Sequence, residues 1–67
     1  MFHFHPERLK ERRNELGLSI RQLAKLADLA HPTVINIEHG TRQPKIGTLL
    51  RLASALKVRP TYFLRKK

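Results

Sequence analysis

The sequence predicts an all-α fold of five short helices with no strands. Apolar residues recur at spacings of three and four positions in successive segments, which is the period of a helix with one buried face. Glycine and proline interrupt this period between the segments. The 67 residues have room for one domain. We expect an N-terminal arm over residues 1–5, a compact domain over residues 6–64 and a basic tail over residues 65–67.

The first helix is expected to begin at Pro6 and to end before Gly17. Proline suits the first helical position because the N–H that it lacks would have no helical partner there. Leu9 and Leu16 lie on one face and are surrounded by basic residues. Glycine readily adopts the left-handed conformation of a C-terminal cap, so Gly17 is predicted to stop the helix.

The second helix has the clearest start signal in the chain. Ser19 is followed three residues later by Gln22, the spacing of a capping box in which each side chain bonds the other residue's free backbone N–H. One predicted buried stripe follows: Ile20, Leu23, Ala24 and Ala27. We expect a turn over residues 28–30.

The third helix is predicted from His31 or Pro32 to His39, and Gly40 ends it. With about 100° of rotation per residue, one side of this helix faces inward and contains Val34, Ile37 and Glu38. Asn36 lies on the opposite, outward side. The second and third helices therefore form a predicted helix-turn-helix over about residues 19–39.

Two more helices are predicted beyond a linker over residues 41–47. The fourth helix covers residues 48–56, and its helical spacing is carried by Leu49, Leu52, Ala53 and Leu56. A short fifth helix begins near Pro60 and places Phe63 against the core. These elements complete the five-helix prediction.

The charge of the chain indicates the chemistry of its partners. Fourteen Lys and Arg against five Asp and Glu give a net charge of +9 and a pI near 11.3, so polyanions are expected to bind. The absence of cysteine excludes disulfides, thiolate zinc sites and cysteine nucleophiles, and it fits a reducing cytoplasm. No apolar run approaches the roughly 20 residues of a membrane span. We expect a soluble intracellular protein with no membrane partner.

Several short motifs also stand at a specific joint spacing. They are Leu18-Ser19, Leu23-Ala24, Ala27-Asp28-Leu29-Ala30, Ile37-Glu38-His39-Gly40 and, after Pro44, the segment from Thr48 to Val58. Together they resemble the phage repressor and Cro family of helix-turn-helix domains, the xenobiotic-response-element type, over residues 6–64. The resemblance implies a lambda-repressor-like fold and a sequence-specific DNA-binding transcriptional regulator, a repressor of bacterial or phage origin. It implies no cofactor and no enzymatic activity.

The chain departs from the family pattern at the helix-turn-helix. Asp28 stands where the family commonly has a glycine in left-handed geometry, which Asp tolerates better than most other residues. Ala30 stands at the capping position of the third helix, where the family has Ser or Thr. The helix could therefore start one residue later, with His31 as its cap.

The resemblance also implies which residues contact DNA. Base contacts fall on His31, Pro32, Thr33 and Asn36. Phosphate contacts fall on Ser19, Arg21, Thr41, Arg42 and Lys45. Among these residues, Asn36 is the strongest candidate because its amide can donate to and accept from the adenine edge at once. Pro32 has no donor, so DNA shape is expected to contribute to specificity. Ile35 either contacts a thymine methyl or packs against the loop over residues 41–43.

Two further features follow from the resemblance. Arg13 and Glu38 are expected to form a partly buried ion pair that locks the first helix onto the third. A homodimer is expected through Val58, Arg59, Pro60 and Tyr62. One recognition helix reads only a few base pairs, so the dimer would bind a pseudo-palindrome with half-sites about 34 Å apart. The alternative is that Val58 only closes the core.

Two other classes of function are alternatives. The same fold occurs in antitoxins and bridging factors, so a protein-interaction module with a toxin or another protein as partner is the alternative. A metal-dependent enzyme would rest on four histidines: His3, His5, His31 and His39. No Asp or Glu is patterned as a further ligand, and a domain of this size buries only about 60% of its surface. We expect no metal site and no catalytic residue.

Overall fold

The computed structural model describes residues 3–64, which fold into five helical segments with short connections. These are α1 (Pro6–Glu15), α2 (Ile20–Ala27), α3 (His31–Glu38), α4 (Ile46–Leu56) and the 3₁₀ helix η1 (Pro60–Leu64). No strand occurs in the described part of the chain, and none of its helices has the length and apolarity to cross a membrane. The all-α prediction is confirmed.

The fifth predicted helix is a 3₁₀ helix, so the fold has four α-helices and one 3₁₀ segment. The N–H of Tyr62 bonds the carbonyl of Arg59 at 2.9 Å, which is the i to i+3 pattern of a 3₁₀ turn. The segment has only five residues, and short helical pieces of this kind are often 3₁₀. The side chain of Phe63 is fully buried, as predicted.

The fourth helix begins at Ile46, two residues before the predicted start. Lys45 is its N-cap in extended backbone, and its carbonyl accepts the N–H of Leu49 at 2.8 Å. The apolar period did not reveal this first turn because Ile46 is exposed and Gly47 has no side chain. Neither residue adds to the buried stripe.

The ends of α1 and α3 are defined by backbone geometry. Gly17 has a φ of +69°, and the N–H of Leu18 bonds the carbonyl of Arg13 at 3.1 Å, which is a Schellman motif, so the predicted C-terminal cap at this glycine is confirmed. Ala30 is the N-cap of α3 and makes no side-chain capping bond. The alternative start with His31 as cap is therefore wrong.

The core is formed by one apolar stripe from each element. Its members are Phe4, Leu9, Leu23, Ala24, Ala27, Val34, Ile37, Leu49, Leu52, Ala53, Leu56 and Phe63. Leu16 was expected beside Leu9 but is 38% exposed, because it lies beyond the last residue of α1. Arg13, one helical turn after Leu9, occupies the buried position instead.

The N-terminal segment is packed against the end of the chain. Phe4 is buried with its ring 5.8 Å from that of Phe63, and the N–H of His5 bonds the carbonyl of Phe63 at 2.8 Å. This part of the predicted arm is therefore continuous with the core. Residues 1–2 of the arm and the predicted tail over residues 65–67 lie outside the described residues.

Within residues 3–64, two residues other than glycine have left-handed backbone, which leads to a stability prediction. Asp28 has a φ of 56° and Lys57 a φ of 58°. This conformation costs most L-residues roughly 1–2 kcal/mol. Glycine avoids this cost, but it loses more conformational freedom on folding, so the net gain in stability is smaller. We expect Lys57→Gly to raise the free energy of unfolding by about 0.5–1 kcal/mol. Asp28→Gly should raise the free energy of unfolding by less, because Asp tolerates the left-handed conformation better than Lys does. Urea unfolding of both variants measures the two changes.

Candidate nucleic-acid interface

The helix-turn-helix consists of α2, a three-residue turn and α3. The predicted capping box is present: the N–H of Gln22 bonds Ser19 Oγ at 3.0 Å, and the N–H of Ser19 bonds Gln22 Oε1 at 2.8 Å. The left-handed Asp28 turns the chain, and the N–H of Leu29 bonds the carbonyl of Ala24 at 2.8 Å. The start of α2 and the turn are thus held by local hydrogen bonds.

The third helix buries one side and exposes the other. Val34 and Ile37 have no exposed surface, whereas Pro32 and Asn36 are exposed. Two of the residues predicted to contact bases, His31 and Thr33, are half-buried. The inward and outward sides of α3 therefore match the helical geometry predicted from the sequence.

The exposed amide of Asn36 lies next to Thr41, the third residue after the end of α3. The backbone carbonyl of Asn36 accepts the N–H of Thr41 at 3.0 Å and its hydroxyl at 3.1 Å. Thr41 Oγ1 is also 3.5 Å from Asn36 Oδ1. This link was missed in the sequence because it depends on how the chain folds back after Gly40, and no spacing rule specifies that path.

Arg13 of α1 connects both helices of the helix-turn-helix. Its Nε donates to Glu38 Oε2 at 2.6 Å and its Nη2 to Glu38 Oε1 at 3.1 Å, which is a bidentate pair. Nη1 donates to the carbonyl of Leu18 at 2.7 Å. The Arg13 and Glu38 side chains are only 9% and 3% exposed. One guanidinium therefore bonds the last residue of α3 and the residue that precedes the cap of α2.

Two other arginines of α1 bond the C-terminal half of the domain. Arg8 donates from Nε to the carbonyl of Tyr62 at 3.1 Å, and its guanidinium lies 4.0 Å from the centre of the Tyr62 ring. Arg12 donates from Nε to the carbonyl of Leu56 at 3.0 Å. Their spacing of four places them on one side of α1, but nothing in the sequence identifies their partners. Both bonds stabilise the fold.

The residues predicted to bind phosphate are exposed at the ends of elements. Ser19 is the cap of α2, Arg21 lies in the first turn of that helix and Lys45 is the cap of α4. Thr41 and Arg42 follow the end of α3. Ser19 Oγ accepts a backbone N–H, so its hydroxyl proton stays available to donate to a phosphate oxygen.

The predicted dimer residues lie near the junction of α4 and η1. Val58 and Tyr62 pack partly against the core, Arg59 is exposed and Pro60 is half-buried. Three of them, Val58, Arg59 and Tyr62, line an open groove of about 260 Å³ with Arg8 and Thr61. Val58 therefore contributes both to the core and to a surface.

Three features of the site define a class of protein. They are the exposed side of α3, the ion pair that anchors α3 to α1, and the exposed cations beside α3. This class is the helix-turn-helix DNA-binding transcriptional regulators, which are not enzymes. The chain belongs to the helix-turn-helix family HTH_3, which matches residues 9–63.

Known proteins of this class are similar in sequence and structure. The restriction-modification controller protein C.AhdI from Aeromonas hydrophila is 36% identical with a TM-score of 0.84, over 87% of this chain and 88% of that chain. The P22 c2 repressor, in complex with a synthetic operator, is 26% identical with a TM-score of 0.87, over 97% and 98%. The lambda-repressor-like architecture is therefore confirmed.

A curated relative extends the comparison to a longer protein. The HTH-type transcriptional regulator DdrOP3 from Deinococcus deserti is 40% identical over 48 residues. The match covers 72% of this chain but only 37% of the relative. The chain thus spans little more than a third of that protein's length.

Proposed function

We propose that the chain is a sequence-specific repressor that binds a pseudo-palindromic operator as a homodimer, with α3 in the major groove. The observation that carries the proposal is the outward side of α3, with Pro32 and Asn36 exposed on a helix whose end is tied to α1 through Glu38. The P22 c2 repressor, similar over 97% of this chain, was solved with a synthetic operator. That similarity supports the same mode of binding.

The proposed contacts divide into base readout and phosphate binding. Base contacts come from His31, Pro32, Thr33 and Asn36. Phosphate contacts come from Ser19, Arg21, Thr41, Arg42 and Lys45. Thr41 is the weakest member of this second set, because its hydroxyl already donates to the carbonyl of Asn36 and would have to leave it to donate to a phosphate.

The proposed dimer uses Val58, Arg59, Pro60 and Tyr62. Val58 and Tyr62 offer apolar surface, but Arg59 places a cation in the same region, and every copy carries a net charge of +9. Two such chains repel each other in free solution. We therefore propose a weak dimer that DNA strengthens, because the phosphates neutralise both subunits.

A protein partner is the second candidate function. Leu26 and Leu50 are 61% and 51% exposed and line one open groove between α2 and α4, and exposed apolar surface is typical of binding sites for proteins. A complex of SinR with SinI is also among the similar structures, with 29% identity over 91% of this chain and a TM-score of 0.87. Such a partner would be bound in addition to DNA.

Selection of binding sites from random duplex DNA tests the proposal. We expect a short pseudo-palindrome that binds about 10³-fold or more tightly than a scrambled duplex. Arg21→Ala should weaken binding to both duplexes and lower the salt slope by roughly one unit, because one phosphate contact is lost. Lys10→Ala is the matched control, since Lys10 is an exposed cation on α1 and should leave the slope unchanged. Equal affinity for all sequences would contradict the proposal.

A further inference from the structure

We infer that α3 reads A·T base pairs and that thymine methyl groups are among the groups it recognises. The inference rests on the proposed function, because it requires α3 to lie in the major groove. It goes further by specifying which base pairs this helix selects. Three observations carry it: the donors that α3 lacks, the apolar residues that it exposes and the support of its one exposed amide.

The first observation is the chemistry of the helix itself. None of the eight residues of α3 is Lys or Arg. Guanine is most often read by a bidentate Arg or Lys that donates to O6 and N7, so α3 lacks the usual side chains for guanine. Its exposed amide, Asn36, matches adenine instead, since Nδ2 can donate to N7 while Oδ1 accepts from N6–H.

The second observation is the apolar surface beside that amide. Pro32 is exposed and lies one helical turn before Asn36, and Ile35 lies three residues after Pro32, so each of these two side chains is a neighbour of Pro32 on the helix surface. Ile35 is half-buried but is not among the apolar residues that pack against the core. The thymine methyl is the apolar group that a base pair presents in the major groove. Pro32 and Ile35 thus complement thymine as Asn36 complements adenine.

The third observation is the support of Asn36. Thr41 donates its N–H and its hydroxyl to the Asn36 carbonyl, at 3.0 and 3.1 Å, and the N–H of Arg42 reaches the same oxygen at 3.3 Å. The backbone that carries the amide is therefore fixed before DNA binds. A fixed backbone loses less conformational freedom on binding, which favours direct readout by this residue.

The remaining side-chain donors are Thr33, whose hydroxyl can contact any base and so does not favour guanine, and two histidines at the ends of α3. His31 is its half-buried first residue and His39 its exposed C-cap. An imidazole N–H can donate to guanine, so a guanine in the selected site could be read at either end. The inference therefore concerns the base pairs opposite Pro32, Ile35 and Asn36, which lie between the two histidines.

The test combines site selection with replacement of thymine by uracil in the selected duplex. Uracil pairs as thymine does but lacks the methyl group, so the unmodified protein can be used and no variant has to fold. We expect A·T pairs at the inner positions of each half-site. Uracil should weaken binding about threefold to fivefold at one or more of them, which is the effect of one buried methyl-sized group. Uracil outside the half-sites is the control and should have no effect.

Two variants assign the contacts. Asn36→Ala should lose about tenfold or more of the preference for adenine at one position. It should still bind more weakly when uracil replaces thymine at the neighbouring base pair. Ile35→Ala should reduce the uracil effect and keep the preference for adenine. Inner G·C pairs, or equal binding of thymine and uracil duplexes at every position, would overturn the inference and leave the proposed function standing. Equal affinity for every duplex would overturn both.

Discussion

Glu38→Ala is expected to lower the free energy of unfolding by about 3–5 kcal/mol, because it leaves the buried guanidinium of Arg13 without its carboxylate. A domain of 67 residues has a total stability of about 3–10 kcal/mol. The loss is therefore comparable to the whole stability of the domain. Thermal and urea unfolding followed by circular dichroism would measure it. An unchanged or raised Tm would contradict the prediction.

A matched control separates burial from the loss of a carboxylate. Glu15 also pairs with an arginine, Arg12, at 3.2 Å, but its side chain is 54% exposed. Exposed pairs contribute about 0–1 kcal/mol. Glu15→Ala should therefore change the stability little, although it removes the same side chain from another ion pair of α1.

A double variant tests what else Arg13 does. Replacing Arg13 by Met and Glu38 by Leu removes both charges together, and such replacements are often neutral or stabilising. Here the double variant should be more stable than Glu38→Ala but less stable than the unmodified protein, because Nη1 of Arg13 also bonds the carbonyl of Leu18 at 2.7 Å. A fully restored stability would show that this third bond contributes nothing.

The elements that could be predicted from the sequence are those that local interactions determine. Ser19 and Gln22 form their capping box within one turn, and Gly17 ends α1 through hydrogen bonds to residues of that same helix. The turn over residues 28–30 is likewise local, although the left-handed backbone of Asp28 was expected only through the resemblance to the family, which commonly has glycine there. Each feature has a short signature, so spacing and residue type were sufficient to identify it.

Contacts distant in sequence could not be predicted in the same way. Arg8 bonds the carbonyl of Tyr62, 54 positions away, and Arg12 bonds that of Leu56, 44 positions away. A carbonyl acceptor exists at every residue, so no residue type marks the partner. Phe4 was assigned to an arm for a related reason: its place in the core appears only once η1 is folded beside it.

The candidate site also combines features that local sequence predicts with contacts that it does not predict. Helical geometry was enough to separate the outward Asn36 from the inward Glu38. The pairing of Glu38 with Arg13 was expected only through the resemblance to known repressors, because the two residues are 25 positions apart. The contact of Thr41 with Asn36 had no signature at all, since it depends on the fold of the loop after α3.

Phe63→Ala is expected to lower the free energy of unfolding by about 3–5 kcal/mol, the usual cost of removing a buried aromatic ring. Phe63 has no exposed surface, and its ring lies 5.8 Å from that of Phe4 and 5.5 Å from that of Tyr62. Removing it leaves a cavity between the start of the chain and η1. Urea unfolding measures the loss, and Leu50→Ala, at an exposed leucine, is the control with an expected change within about 0.5 kcal/mol.

Phe63→Ala should also weaken the proposed dimer, and this effect distinguishes it from Glu38→Ala. Phe63 holds η1 against the core, and η1 carries Pro60 and Tyr62 of the proposed dimer surface. At temperatures where the variant is still folded, Phe63→Ala should therefore bind a single half-site as the unmodified protein does and lose affinity for the full palindrome. Glu38→Ala disturbs the attachment of α3 and should weaken both. Equal losses on both duplexes for Phe63→Ala would place the dimer contacts elsewhere than on η1.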